Sequence, residues 1–198
     1  MIAVLDYGIG NLANLINALK FIKADLEIIT DASQLRSQKK IILPGVGAFK
    51  AAMRNLTERG FDKALKNEAK AGAKILGVCV GMQVLFESSE EDGYSAGLGL
   101  IPGEIKRLTK APKIPHMGWN RLNNHQPHPL LKGIDQQAWF YFVHSYADLA
   151  ESAYGLATTD YYQNFSSIVA HGNIFGAQFH PEKSQNSGLQ LLNNFKKL

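Results

Sequence analysis

Cys79 stands between two glycines in Gly77-Val78-Cys79-Val80-Gly81, where an apolar run of strand length gives way to a helical pattern. That layout matches a nucleophile elbow, a tight turn that holds its central residue in a strained backbone conformation and tolerates only small neighbours. At the amino end of a helix, free N–H groups and the helix dipole favour a thiolate over a thiol. The pentapeptide alone fits a buried structural cysteine equally well, because free cysteine packs as a small hydrophobe. A second motif, Phe175-Gly176-Ala177-Gln178-Phe179-His180-Pro181-Glu182, reads as a strand ending in a histidine, a proline and a carboxylate. Residues two apart in extended backbone project to one side, and a residue before proline is held extended, so His180 and Glu182 lie side by side. A carboxylate beside an imidazole fixes its tautomer and stabilises the imidazolium, which is what a thiol-activating base requires. Such a pair alone is an ordinary surface feature. Beside the Cys79 elbow it completes a nucleophile, base and orienter.

A third segment, Leu43-Pro44-Gly45-Val46-Gly47-Ala48-Phe49, is a glycine-bearing loop after a buried strand. Its backbone amides and that of Val80 are candidates for an oxyanion hole, in which each donor contributes about 2.7 to 4 kcal/mol. These pieces need a scaffold that brings them to one edge. Apolar runs alternate with helical periods through the first half, predicting strands at 2–5, 26–29, 40–43 and 74–78 and helices over 12–22, over two stretches broken near Gly60, and over 82–90 with Met82, Leu85 and Phe86 inward. After Gly93 come shorter β-like runs at 104–108, 138–143, 154–158, 167–171 and 174–179, a tight hairpin at His171-Gly172-Asn173, and a closing helix over 188–198. The fold class is therefore α/β, a mostly parallel central sheet flanked by helices with additional antiparallel strands in the C-terminal half. In a parallel sheet the carboxyl ends of the strands share an edge, so the 43–49 loop and the Cys79 elbow converge in one crevice.

With 198 residues, 45% of them hydrophobic, the chain buries one substantial core, and a single domain over 1–198 is expected. No basic stretch precedes an apolar run at the start and no run is long enough to span a bilayer, so a cytoplasmic protein is expected. The lone cysteine excludes an internal disulfide. A net charge of +4 and a pI near 9.1 invite a nucleic-acid reading, but charged residues are scattered and make up only 19%; Lys106, Arg107, Lys110 and Lys113 read as a solvated edge. Gly8-Ile9-Gly10-Asn11-Leu12-Ala13 matches a dinucleotide fingerprint, with Asp31 about 20 residues on, although Asp6 and Tyr7 intrude before the glycines. His125-Gln126-Pro127-His128 and the acidic Glu87, Glu90, Glu91 and Asp92 lack the companion ligands of a metal site and read as surface features. No metal or organic cofactor is expected.

Gly77-Val78-Cys79-Val80-Gly81-Met82-Gln83 with His180-Pro181-Glu182 resembles the class I, triad-type glutamine amidotransferases. Asp6-Tyr7-Gly8-Ile9-Gly10-Asn11, Pro44-Gly45-Val46-Gly47, Pro115-His116-Met117-Gly118-Trp119-Asn120 and Tyr141-Phe142-Val143-His144-Ser145-Tyr146 narrow the resemblance to the glutaminase subunits of imidazole glycerol phosphate synthases, in order and essentially end to end. Val80 stands where that pattern carries leucine. The resemblance implies that Cys79 attacks the glutamine side-chain amide, that His180 serves as acid and base with Glu182 orienting it, and that Val46, Gly47 and Val80 form the oxyanion hole. It further implies that Gly47, Gln83, Tyr141, His144, Ser145 and Tyr146 hold glutamine. Asn11, Trp119, Asn120 and Lys183 would face a barrel-shaped cyclase subunit, where ammonia enters a step of histidine biosynthesis. Trp119 also fits ordinary core packing. A paralogue feeding another synthase, such as a sugar amidotransferase, and a non-catalytic partner subunit are the competing readings.

Overall fold

In the computed structural model, residues 1–123, 126–149 and 153–198 are described. Strand β1 (Ile2–Leu5), helix α1 (Leu12–Phe21), β2 (Leu26–Ile29), β3 (Lys40–Leu43), α2 (Phe49–Glu58), α3 (Phe61–Lys70) and β4 (Lys74–Val78) build the first half. A one-turn helix α4 (Val80–Gln83) leads into β5 (Phe86–Ser89), β6 (Ser95–Ala96), β7 (Ile101–Arg107), β8 (His116–Arg121), β9 (Trp139–His144) and β10 (Tyr146–Asp148). The chain closes through β11 (Gly155–Asp160), β12 (Asn164–His171), β13 (Ile174–Ala177) and α5 (Gln185–Lys197).

Among the described residues the central sheet runs β11-β12-β13-β4-β3-β1-β2, parallel from β13 to β2 and antiparallel at the β11 and β12 end. Strands covered on both faces need apolar residues at every position, and β1 is buried throughout, as is β3 beyond Lys40 and β4 beyond Lys74. Helices α2 and α3 bury one stripe each, Phe49, Ala52 and Leu56, then Phe61, Leu65 and Ala69, and Gly60 in the left-handed region separates them. The register pairs Leu43 with Gly77, Gly77 with Gly176 and Val78 with Ala177. The residues that follow β3, β4 and β13 therefore emerge together at the carboxyl edge, as the parallel pattern predicts.

Three elements differ from the sequence expectation. The helix over 82–90 is a single turn followed by β5, which pairs with β6 and β7. Met82, Val84, Leu85 and Phe86 are all fully buried, so this run is apolar on every side and carries no period that separates helix from strand. The 116–121 segment, to which the sequence pattern assigns no element, is strand β8, paired residue for residue with β9. Helix α5 begins at Gln185 rather than Gly188, because Gly188 sits inside its first turn where any side chain would strike Pro181 O. The hairpin between β12 and β13 turns at Gly172-Asn173, with Gly172 at φ 59°. No helix among the described residues is long and apolar enough to cross a membrane.

Candidate active site

Cys79 takes φ 54° and ψ −114°, a conformation L residues rarely adopt, immediately after β4. Its amide donates to Ala177 O at 2.8 Å, and its carbonyl accepts from Met82 and Gln83 at 3.0 and 3.1 Å, so the turn is clamped from both sides. Side chains at the flanking glycines have no room. A Cβ on Gly77 would strike Gly81 O, one on Gly81 would strike Leu43 O, and one on Gly45 would come within 2.5 Å of Gly81 N. The elbow and the 44–47 loop thus meet backbone to backbone. With only one helical turn behind Cys79, a long helix dipole is absent, and the positive charge beside the sulfur belongs to His180.

His180 is carried past β13 by its amide, which donates to Tyr141 O at 2.9 Å, and by its carbonyl, which accepts from Ser184 Oγ at 2.6 Å. Its Nδ1 meets Glu182 Oε1 at 2.8 Å with both side chains buried, 2% and 4% exposed. Nε2 is buried and, among the described residues, has no hydrogen-bond partner. Burial opposes the charged ring, yet a thiolate at Cys79 and the Glu182 carboxylate outweigh it and raise His180 to about 10. Since this lies above the free value of 6.5, the pair contributes stability present below about pH 6.5 and lost as pH rises through about 10. Glu182→Gln keeps an acceptor for Nδ1 but removes the charge. The alkaline limb of kcat/KM should move to lower pH and the plateau should fall about 10²-fold, the lower end for a positioned acid–base group; an unmoved limb in the pH profile would separate His180 from the rate.

A cleft of about 280 Å³ opens over these groups. Val46, Gly47, Cys79, Val80 and His180 line it together with Gln83 and the Val143, His144, Ser145 and Tyr146 segment. Cys79 Sγ lies 3.8 Å from Val143 O and 3.9 Å from Gln178 Nε2. Gln83 Nε2 donates to Tyr146 O at 2.8 Å and to Gln178 Oε1 at 3.2 Å. Tyr141 is not part of the lining. Farther along β9 it stands edge-on to Trp119 at 5.9 Å, with the Lys183 ammonium 5.6 Å over its ring. Trp119 is 43% exposed, which rules out the core-packing alternative, and Asn11 is exposed as well. Asn120 does not join them: its amide is turned inward, donating to Asp160 O at 2.9 Å and accepting from Arg121 N at 2.8 Å.

The family described as "Glutamine amidotransferase class-I" matches residues 3–198. The chain belongs to the class I glutamine amidotransferases. Relatives named "Imidazole glycerol phosphate synthase subunit HisH" are 46% identical in Listeria monocytogenes (100% of this chain, 96% of the relative) and 48% identical in Desulfitobacterium hafniense (100% and 94%). One from Sulfurimonas denitrificans is 47% identical (100% and 98%). Among solved structures, one titled "Crystal structure of glutamine amidotransferase" superposes with a TM-score of 0.77 at 18% identity, covering 100% of this chain and 99% of that one. PurLQS from Thermotoga maritima gives 0.75 at 17%, covering 98% and 96%. At such identities these two show the fold alone.

This class I glutamine amidotransferase also recruits residues that motif reading passed over. Glu91, read as one of a solvated acidic cluster, lines the cleft and accepts from Phe49 N at 2.7 Å. Burial raises its carboxyl even though that amide holds it down, and Asp92 adds to the rise. Its neighbours Glu87 and Glu90 are structural, accepting from Gly103 N at 3.0 Å and Arg107 N at 2.7 Å. Gln178 beside the sulfur carries a signal of its own, since it precedes His180 by two and shares its face of the strand. Tyr7 OH donates to Pro44 O at 2.7 Å and pins the start of the glycine loop. The dinucleotide reading loses its acid, because Asp31 caps the short 32–35 turn through Ser33 N at 2.8 Å. His128 accepts from Leu130 N at 3.0 Å, capping the 129–131 turn; His125 lies outside the described residues.

Proposed function

We propose that the chain is the glutaminase subunit of an imidazole glycerol phosphate synthase and that it hydrolyses glutamine through Cys79, His180 and Glu182. The observation that carries the chemistry is the buried His180–Glu182 pair, whose unpartnered Nε2 shares a cleft with a strained Cys79. Cys79 Sγ attacks the side-chain amide carbon of glutamine, and the oxyanion that forms is met by the amides of Val46, Gly47 and Val80. None of these amides has a backbone acceptor among the described residues. His180 Nε2–H protonates the departing ammonia, leaving a glutamyl thioester. The neutral imidazole then takes a proton from water, which attacks the thioester and releases glutamate and the thiolate. Glu91 is the carboxylate of the cleft lining, and a half-buried carboxylate raised by burial suits the α-ammonium of the substrate. Gln83, His144, Ser145 and Tyr146 shape the remainder of the pocket.

Ammonia freed in water takes up a proton and ceases to be a nucleophile, so its consumer must dock on this chain. The exposed Trp119, with Tyr141 and Lys183, supplies an aromatic and cationic patch of the kind that anchors interfaces, and Asn11 extends the docking face. Similarity to the named synthase subunits over the whole chain favours a cyclase that makes imidazole glycerol phosphate over a sugar amidotransferase. The test is glutamate release from glutamine by the chain alone, with an imidazole glycerol phosphate synthase cyclase subunit, and with that subunit plus its phosphoribosyl-formimino carboxamide nucleotide. Release that rises by at least tenfold with cyclase and nucleotide supports the assignment; release indifferent to both in a verified complex overturns the partner.

A further inference from the structure

Two histidines, His116 on β8 and His144 at the end of β9, face each other inside the protein with His116 Nδ1 and His144 Nε2 3.1 Å apart. They are 3% and 6% exposed. Burial holds His116 down at about 4; burial, with His116 next, holds His144 at about 3, so both rings are neutral and each has one N–H. Their tautomers then follow from their neighbours. His144 Nδ1 lies 2.9 Å from Tyr146 O, and a carbonyl only accepts, so Nδ1 holds the proton and Nε2 is left as an acceptor. His116 must therefore donate from Nδ1, which leaves its own Nε2 as an acceptor, 3.4 Å from the amide nitrogen of Asn120. Asn120 is itself oriented by two backbone groups, Asp160 O on its nitrogen and Arg121 N on its oxygen. Every donor in this series has an acceptor, and every bond runs in one direction, from Asn120 to His116 to His144 to the carbonyl of Tyr146.

That carbonyl also accepts from Gln83, which reaches Gln178 beside the Cys79 sulfur. We infer that His116 is a positioning residue for glutamine: its Nδ1–H anchors the Nε2 of His144 and so holds the ring whose Nδ1–H meets the Tyr146 carbonyl, keeping that carbonyl and Gln83 in place as one wall of the pocket. Position fits the role. His116 is stacked on Phe142 and Tyr161 at 4.9 and 4.0 Å, so its ring cannot turn to another partner, and Asn120 adjoins the exposed Trp119. The kinetic consequence rests on the glutaminase reading above, whereas the tautomers do not.

Two variants separate the hydrogen bond from the packing. His116→Phe keeps the stacked ring and removes the donor; His116→Asn places an amide N–H near the Nδ1 position and restores it. In ¹⁵N spectra of the full chain, His116 and His144 should both show the Nδ1–H pattern; in His116→Phe His144 should keep it, since Tyr146 O still takes its proton, while its Nε2 resonance loses the shift of a hydrogen-bonded acceptor, which His116→Asn restores. In complex with the cyclase subunit, KM for glutamine should rise about tenfold in His116→Phe with kcat changed less than threefold, and His116→Asn should recover most of the loss. If His116→Phe does not fold, Asn120→Asp gives a second reading, since a carboxylate facing Nε2 should move His116 to Nε2–H. An Nε2–H pattern at either histidine of the wild type, an unchanged His116 tautomer in Asn120→Asp, or equal KM in His116→Phe and wild type would overturn the inference. Correct tautomers with no glutamine turnover in any form would instead overturn the glutaminase reading.

Discussion

Cys79→Ala should abolish glutamine-dependent synthesis, with glutamate release falling by about 10⁴-fold or more, while synthesis from added ammonium salt proceeds at the wild-type rate in the same complex. The size follows from the division of labour in the cleft. Removing the nucleophile removes the covalent route entirely, and what remains is whatever the amides and the binding pocket do for a water attack, typically many orders below the intact set. The substitution itself is mild for the fold: it gives up the long contacts of Sγ to Val143 O at 3.8 Å and Gln178 Nε2 at 3.9 Å, and alanine retains the Cβ that the elbow already accommodates. Loss of the thiolate also removes one of the two charges that raise His180, so the imidazole should titrate lower in Cys79→Ala than in the wild type, visible in its ring proton shifts. Retained activity with ammonium separates a dead glutaminase from a damaged complex. Glutamate release within tenfold of wild type would instead mean that another group attacks glutamine.

How much of this was legible before the coordinates depends on whether a position is governed locally. Strands β1, β3 and β4 coincide with their expected limits because burial on both faces makes a continuous apolar run with abrupt ends, and the edge strand β2 coincides as well although only its Ile29 is buried. The strained turn at Cys79 and the His180–Glu182 pair were legible because the glycines around Cys79 and the two-residue step from His180 to Glu182 act within a few residues. Positions decided across the chain were not. Glu91 looks like its acidic neighbours by type, and only an amide at Phe49, on a distant element, draws it into the cleft. Tyr141 belongs to the right segment and shares a face of β9 with Val143, but it lies farther along the strand, beside Trp119 and away from the cleft, whereas Val143 brings its carbonyl to the sulfur. Asn120 sits next to an exposed tryptophan and yet commits its amide to Asp160 O, Arg121 N and the buried His116. Leading into β5, the run from Met82 to Phe86 is buried on all sides and offered no period to read.

Gly81→Ala should damage fold and activity together with a single added methyl group. Gly81 is not among the glycines with positive φ, so alanine can adopt its backbone conformation, and the difficulty is space alone. The added carbon would strike Leu43 O, with Leu43 C at 2.8 Å and Pro44 C at 3.1 Å, and all three are backbone atoms with no rotamer to change. Either α4 or the end of β3 must move. Overpacking of a close backbone contact costs about 3 kcal/mol, which for a chain of this size lowers Tm by roughly 6–12 °C. Movement there also separates Val80 from the 44–47 loop, which together border the cleft at Cys79. Because an oxyanion donor is worth about 10²–10³ in kcat, glutamate release should fall by at least that factor at temperatures where the variant is still folded. Circular dichroism melts and glutamate assays on one preparation test both halves. A variant with wild-type Tm but lost activity would mean that the loop yields without cost and that its backbone contact with the elbow serves catalysis alone; a variant wild-type in both would show that the close approach of Gly81 to Leu43 does not exist in solution.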